Sequence, residues 1–422
     1  MMTEPNGPAL DALNGLSVGD ALGAQFFVPE TARSHFAGRT DPPGPWPWTD
    51  DTEMACSVYA AQRERGTIDT VDLTHAFALR HDFDRGYGPA ANRMLRLIRE
   101  GGDAKALAAE LFDGQGSYGN GAAMRVAPLG AAYAADPTKA IRPAAETALI
   151  THTHPQAVDG AIAVAVAAAF AVQVGRGTRM TPVTFLERVR RFTPSGAVHD
   201  GLYEAIALLA EPDPLVAAKV LGNGSRTSAA DTVPYALWCA ARHLTDYRAA
   251  VREAIAPGGD MDTVAAITGG VVASCTGTRG IPAEWMAARE PLPGWAFPEP
   301  GGVTGGRGRA DMLVPRSHPV PDVEWTDEQW QRLRAGRHTD ALDHRWAVHT
   351  HEGSVRICRP GGGHPVWEVA VTRIRGGRRP VSAVVETSHH RWSVLPTDPH
   401  GLTTLSWILR TAATGERSAL RP

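Results

Sequence analysis

Two acidic clusters stand out because aspartates and hydroxyl residues crowd together at positions where the chain turns into a helix. The first is Thr49-Asp50-Asp51-Thr52, just ahead of a helical stretch, and the second, far downstream, is Gly258-Gly259-Asp260-Met261-Asp262-Thr263. Carboxylate and hydroxyl oxygens are hard donors of the kind that Mg²⁺ accepts. Two such loops facing each other would supply oxygens for two ions, and paired ions about 3.5–4 Å apart clamp both sides of a displacement. Each cluster alone also reads as a helix N-cap, since Asp and Thr accept hydrogen bonds from the free N–H groups of a first turn. Capping, however, requires neither adjacent aspartates at both loops nor the Gly258-Gly259 pair, which lets the backbone approach a ligand closely. Together the clusters point to metal.

A second type of chemistry is written in Gly116-Ser117-Tyr118-Gly119-Asn120-Gly121. Backbone N–H groups of a glycine-rich loop can point at phosphate oxygens, and Tyr118 offers a ring on which an adenine can stack. A tight turn ahead of a helix is the competing reading. Trp46 and Trp48 flank the first acidic cluster in a Pro-rich stretch, as rigid loop packing or as a wall for a substrate. Glu53 and Arg125 read as supports behind the site, and Glu53 equally as a first-turn acid complementing the helix dipole.

Taken in order, GLSVGDALGAQF (Gly15 to Phe26), WTDDTEMA (Trp48 to Ala55), RGYGPAA (Arg85 to Ala91), GSYGNGAAMRVAPLG (Gly116 to Gly130) and GGDMDTVAAITGGVVAS (Gly259 to Ser274) resemble the ADP-ribosylglycohydrolase family. THTHPQAVDGA (Thr151 to Ala161) and IPAEW (Ile281 to Trp285) add weaker matches. The likeness runs over residues 8 to 290 and stops there. It implies an all-α fold with a binuclear Mg²⁺ site, Mn²⁺ being the alternative ion, in which Thr49, Asp50, Asp51, Asp260, Asp262 and Thr263 are the metal ligands. It further implies that ADP-ribose is held by Gly86, Tyr87 and Gly88 near the pyrophosphate and by Ser117, Tyr118, Gly119, Asn120 and Gly121. His152 matches a histidine lining the site, with His154 two residues on leaving the register open.

One departure matters. Many members end the GDALG segment with a glutamate, as GDALGxxxE, and here that position is Phe27. An apolar ring cannot ligate a metal, take a proton or position water. Asp20 belongs to its own motif, and Glu30 falls three residues late. The expected chemistry is hydrolysis of the bond between ADP-ribose and a modified protein, nucleic acid or small molecule, through an oxocarbenium-like transition state. Asp50, Asp51 and Asp260 are the candidates for orienting the attacking water. The alternatives are a hydrolase of another ribosyl or nucleotide substrate on the same fold and a non-catalytic ADP-ribose binder, the latter suggested by Phe27.

The elements that must position these residues are helical from Leu10 to Arg289. Apolar residues recur at three- and four-residue spacing in Thr52 to Arg65, Thr70 to Arg80, Ala90 to Glu100, Asp159 to Val174, Ser228 to Leu244 and Thr263 to Thr276. Gly and Pro become too dense for regular structure between Glu290 and Pro321, which sets the domains at 1–292 and 322–422 with a linker over 293–321. Beyond it, a helix near Asp327 to Ala335 precedes five expected strands: Arg345 to His349, Ser354 to Cys358, Val366 to Ile374, Val381 to Thr387 and Arg391 to Leu395. A last helix, Gly401 to Thr414, completes a small α+β domain, which could recruit substrate, form an oligomer surface or cover the active site. Its His349, His351, His389 and His390 invite a zinc reading against a plainer surface one, and Arg373, Arg375, Arg378 and Arg379 read as a phosphate patch or a solvated hairpin.

At 422 residues the chain exceeds the roughly 250–300 residues over which single cores keep growing, so two domains are expected. A mean hydropathy of -0.20 with 21% charged residues is that of an ordinary globular protein. The net charge of -3 provides no general attraction to a polyanion, so nucleic acid is expected only as a modified substrate. Cys56, Cys239, Cys275 and Cys358 form no CxxC, which suggests neither a zinc site nor a disulfide framework and favours a reducing cytoplasm. The start lacks a signal pattern, and the apolar run Ala161 to Val172 is short for a bilayer span, so no membrane partner is expected.

Overall fold

Glycine at every fourth position of the first helix decides how the first unit is built. The computed structural model describes residues 7–27, 40–297, 315–335, 346–351, 353–358, 365–386 and 399–414. Helix α1, Pro8–Ala24, carries Gly15, Gly19 and Gly23 on one face. A Cβ on any of them would overlap the backbone or side chain of Gly269 and Ala273, Ala265, or Met261 and Asp262, respectively. The two backbones therefore touch along their length, an approach that only glycine permits. The partner is the helix that opens with the second acidic cluster, so this packing brings Asp20 to the start of that helix.

The described helices of the first unit are α1, α2 (Asp50–Arg65), α3 (Thr70–Arg80), α4 (Pro89–Arg99), α5 (Ala104–Ala109), α6 (Ala127–Ala132), α7 (Ile141–Leu149) and α8 (Pro155–Gly175). They continue with α9 (Pro182–Phe192), α10 (Ala197–Ala207), α11 (Pro214–Leu221), α12 (Ala229–Arg242), α13 (Tyr247–Ile255), α14 (Met261–Thr276) and α15 (Ala283–Ala288). Helix α8 is long and apolar enough to cross a membrane by length and composition, longer than the apolar run suggested. It is wrapped by α6, α7, α9, α12 and α14 instead, and 83% of its most apolar window is buried. A helix apolar on all sides serves equally as the centre of a helical bundle. Helix α2 begins two residues earlier than its apolar periodicity suggested, so Asp50 and Asp51 lie within its first turn rather than ahead of it.

The contacts divide the chain into Met1–Ala296 and Phe297–Pro422. In the second unit strands β1 (Pro315–His318), β2 (Trp325–Thr326), β3 (Ala347–His351), β4 (Ser354–Cys358), β5 (Pro365–Ile374) and β6 (Gly377–Glu386) form an antiparallel sheet in the order β1-β6-β5-β4-β3. Strand β2 pairs with the far end of β6. Helices α16 (Asp327–Ala335) and α17 (Pro399–Thr414) contribute Trp330, Leu333, Leu405, Ile408 and Leu409 to a core shared with Val355, Ile357, Trp367, Val369 and Val385. The alternation along β4 and β5 places those sheet residues on a single face. The expected fold class, an all-α unit followed by a small α+β unit, is what the chain adopts.

The second unit differs from expectation in its details. Pro315–His318, in the stretch read as linker, forms an edge strand through pairing with Ala383 to Glu386, a long-range contact that local Gly and Pro density conceals. The strand expected at Arg345 to His349 runs instead from Ala347 to His351. The expected strand Arg391 to Leu395 lies outside the described residues.

Candidate active site

The two acidic clusters meet around Asp20. Its carboxylate, fully buried on α1, accepts hydrogen bonds from the Thr49 N–H (3.0 Å) and hydroxyl (2.8 Å), and from the Thr52 N–H (3.1 Å) and hydroxyl (2.5 Å). This bracket fixes the first turn of α2 against α1. Because α1 also touches α14, it brings Asp51 to Asp262. Carboxylate oxygens of Asp20, Asp51 and Asp262 lie within 4.8 Å of one another, all three residues being buried.

Capping does not account for these side chains. Asp69, Asp103, Asp213 and Asp246 cap helices in the ordinary way, accepting from N–H groups of the first turn. Thr49 and Asp260 occupy the same N-cap position at α2 and α14, yet neither side chain makes a cap bond. The Thr49 hydroxyl is turned to Asp20, and Asp260 Oδ2 accepts the Asn120 side-chain amide at 2.6 Å. Asp262 accepts the N–H of Thr263 at 2.8 Å, and the Thr263 hydroxyl lies 3.4 Å from Asp51 Oδ2.

Among the described residues no Lys or Arg forms an ion pair with the carboxylates of the cluster. Burial, followed by the like charges of Asp20, Asp262, Asp50 and Asp260, pushes the Asp51 carboxyl well above its ordinary range. Burial and then Asp260 and Asp20 do the same to Asp262, while burial and Asp20 push Asp50 up to about 8. Buried carboxylates facing one another without a cation are strongly disfavoured in the charged form. A divalent cation supplies the missing charge, and the donor set is all hard oxygen. Asp51 Oδ1 is buried without a hydrogen-bond partner, so it is free to ligate, whereas the bonds to Thr49 and Thr52 make Asp20 an organiser of the site. The residues present fit a hard divalent ion.

The RGYG turn forms one wall. Gly86 has φ +87°, a left-handed conformation suited to glycine, and its Cα faces Asp50: a Cβ there would lie 3.8 Å from Asp50 Oδ1. Gly88 caps the start of α4 with open space around it. The side chain of Tyr87, expected to line a ligand, is turned inward instead. It packs edge-on against His81 and donates its hydroxyl to Glu53 Oε2 at 2.6 Å, so only the backbone of this turn faces the site. Glu53 is buried and also accepts the Asp82 N–H, so it is not a solvent-facing first-turn acid. Burial holds its carboxyl up to about 7.

The glycine-rich loop lies against residues 227–229. The Asn120 N–H donates to the Thr227 carbonyl and the Ala229 N–H to the Tyr118 carbonyl, both at 3.0 Å. Ser117 accepts the Gly119 N–H at 3.2 Å. Asn120 is buried, and its amide reaches Thr232 Oγ1 as well as Asp260, so the residue expected to hold ADP-ribose is instead tied to the acidic cluster. Tyr118 is 42% exposed, and beside it stands Phe112, 50% exposed, with ring centroids 5.7 Å apart. Phe112 was not singled out from sequence, since a lone loop phenylalanine carries no signal; its positive φ of 52° marks a backbone held in place by its surroundings. His152 lies under the loop beside Gly119 and Gly121, whereas His154 accepts the Gln156 N–H as the cap of α8 and stands edge-on to Tyr118.

Trp46 and Trp48 are packing residues. Trp46 exchanges backbone bonds with Ala288 and Glu290, and Trp48 is covered by Arg85, whose guanidinium sits 3.5 Å from the ring centroid and pairs with both oxygens of Glu290. Phe27 ends the turn after α1 and is 48% exposed, while Glu30 lies outside the described residues. In the second unit, His349 pairs across the sheet with Arg356, and His389 and His390 lie outside the described residues. Arg373, Arg375 and Arg379 are exposed around the β5–β6 turn, while Arg378 covers the ring of Trp330 near Asp327.

Comparison with known proteins gives the family. The sequence profile described as ADP-ribosylglycohydrolase matches residues 4–300. ADP-ribosylhydrolase ARH3 of Xenopus tropicalis is 30% identical over 277 residues, covering 58% of this chain and 77% of its own length. ADP-ribosyl-[dinitrogen reductase] glycohydrolase of Rhodospirillum rubrum is 34% identical over 157 residues, covering 35% of this chain and 52% of its own length. A solved chain titled ADP-ribosylglycohydrolase-related protein complex aligns over 67% of this chain and 92% of its own, at 27% identity and a TM-score of 0.47. This chain belongs to the ADP-ribosylglycohydrolase family and is a glycohydrolase.

Proposed function

We propose that this protein hydrolyses the glycosidic bond between ADP-ribose and a modified protein, nucleic acid or small molecule, with Mg²⁺ or Mn²⁺ as its cofactor. The observation that carries the reading is the convergence of Asp20, Asp51 and Asp262 from three distant stretches of chain into one buried cluster. Similarity to an ADP-ribosylhydrolase and to an ADP-ribosyl-[dinitrogen reductase] glycohydrolase supports ADP-ribosylated compounds as the substrate class.

Thr49, Asp50, Asp51, Asp260, Asp262 and Thr263 are the residues that would hold two ions, with Asp20 and Asn120 fixing Thr49 and Asp260 in place. Bound there, divalent cations would offset part of the cluster's negative charge and would supply Lewis acidity to a sugar hydroxyl and to water. Phe112 and Tyr118 offer exposed rings for the adenine, and the Gly86 to Gly88 turn provides a backbone wall beside Asp50. Bond cleavage at C1'' leaves positive character on the ribose, which the carboxylates stabilise. Water oxygen adds to C1'' and its proton passes to the leaving group. Because Phe27 carries no proton acceptor, an aspartate of the cluster, Asp50, Asp51 or Asp260, would take that proton and deliver it to the leaving group. Purified protein incubated with ADP-ribosylated arginine, serine and nucleic acid should release ADP-ribose only when Mg²⁺ or Mn²⁺ is present. No release from any of the three with metal present would overturn the reading.

A further inference from the structure

Arg125 is fully buried and has no carboxylate within salt-bridge distance among the described residues. Its guanidinium donates to the Thr147 carbonyl (2.8 Å) and to the Thr151 hydroxyl (2.9 Å), and lies over the ring of Phe77. The same Thr151 hydroxyl is 2.6 Å from Nδ1 of His152. An arginine has no acceptor, so Thr151 must accept from it. The hydroxyl hydrogen then needs a partner of its own inside a residue only 2% exposed. Nδ1 of His152 is within reach and can accept it only if it carries no hydrogen.

We infer that Arg125 and Thr151 are positioning residues that hold His152 as one neutral tautomer, with its hydrogen on Nε2, presenting a fixed N–H donor between Gly119 and Gly121 to an anionic nucleotide oxygen. The location of Nε2 follows from the two glycines. A Cβ on Gly119 would lie 3.1 Å from Nε2, and one on Gly121 would lie 3.0 Å from it. Gly119 has φ -61°, a conformation open to any residue, so the absent Cβ serves to make room above the ring. Burial, and after it the charge of Arg125, holds the imidazole neutral down to about pH 3. A second hydrogen on Nδ1 would face the Thr151 oxygen already held by a cation.

The nucleotide part rests on the function proposed above, whereas the tautomer does not. Long-range ¹⁵N–¹H spectra of histidine-labelled free protein, with His152 assigned by His152→Gln, should show protonated Nε2 and bare Nδ1, unchanged from about pH 5.5 to 8, where an ordinary histidine titrates. Thr151→Val should admit the Nδ1–H form and weaken ADP-ribose binding roughly tenfold, the loss of one oriented donor to an anion, and Thr151→Ser should restore both. Wild-type protein carrying hydrogen on Nδ1, or titrating in that range, overturns the inference, as does a Thr151→Val protein that binds ADP-ribose like wild type. If wild-type protein binds no ADP-ribose, the functional proposal fails while the free-protein spectra still decide the tautomer.

Discussion

Replacing Asn120 with alanine should weaken the metal site and leave the nucleotide site intact. The Asn120 amide donates to Asp260 Oδ2 at 2.6 Å and to Thr232 Oγ1 at 3.0 Å, and its backbone N–H is held by Thr227. A hydrogen bond to a charged group contributes about 1.5–3 kcal/mol. Asp260 released from this bracket has to be reordered each time a cation binds, so the half-saturating Mg²⁺ concentration should rise about ten- to hundredfold. The loss of folding stability should be smaller, about 1 kcal/mol, because Thr232 Oγ1 keeps its bond to the Ser228 carbonyl at 2.9 Å and is not orphaned. The assay is initial-rate release of ADP-ribose against Mg²⁺ concentration at saturating substrate, paired with calorimetric ADP-ribose binding at saturating Mg²⁺. An unchanged Mg²⁺ dependence with ADP-ribose affinity reduced tenfold would refute the reasoning and return Asn120 to the role of a ligand contact.

Three further outcomes follow from the site. Mg²⁺ at about a hundred times its Kd should stabilise the wild-type protein by about 2.7 kcal/mol, a melting shift of several degrees; Asp51→Asn should abolish both this shift and turnover, and a variant that still shifts would remove Asp51 from the ligand set. Phe112→Ala and Tyr118→Ala should each raise KM about tenfold, the equivalent of one base-stacking contact, with kcat little changed; a fall in kcat at constant KM would speak against a stacking role. Glu53, held up to about 7 from 4.5, keeps a proton in the folded state that the unfolded chain releases, so without metal its contribution to stability is full below about pH 4.5 and is lost as pH rises towards 7, by up to about 1.4 kcal/mol per pH unit. Glu53→Gln should flatten that slope in denaturant unfolding with chelator present, and an unaltered slope would show that Glu53 is not its source.

The doubled aspartates at Asp50-Asp51 and Asp260/Asp262 were legible because capping leaves them unexplained, and the two loops do meet. Asp20 was not placed as their organiser, since a single Asp within a helical stretch carries no local mark; only the approach of α1 to α14 brings it to Thr49 and Thr52. Asn120 and Tyr87 sat in loops whose glycines suggest a ligand, yet side-chain direction is a tertiary property, and both turn inward to carboxylates. Trp46 and Trp48 were equally open to packing or substrate, and residues 288–291 resolve them by covering the loop from the far end of the unit. Helices of the first unit were readable because their apolar spacing is local. Strand β1 was not, because four residues in a Pro- and Gly-rich stretch become a strand only when β6 is there to pair with them.

The most direct test of the central claim is the anomalous scattering of crystals soaked in Mn²⁺ at a concentration that supports turnover in solution. A peak is expected within about 2.0–2.6 Å of carboxylate oxygens of Asp51 and Asp262, the range of hard divalent ions with oxygen ligands, and a second beside Asp50 and Asp260. Active protein whose crystals hold Mn²⁺ elsewhere, with nothing between these aspartates, would contradict it.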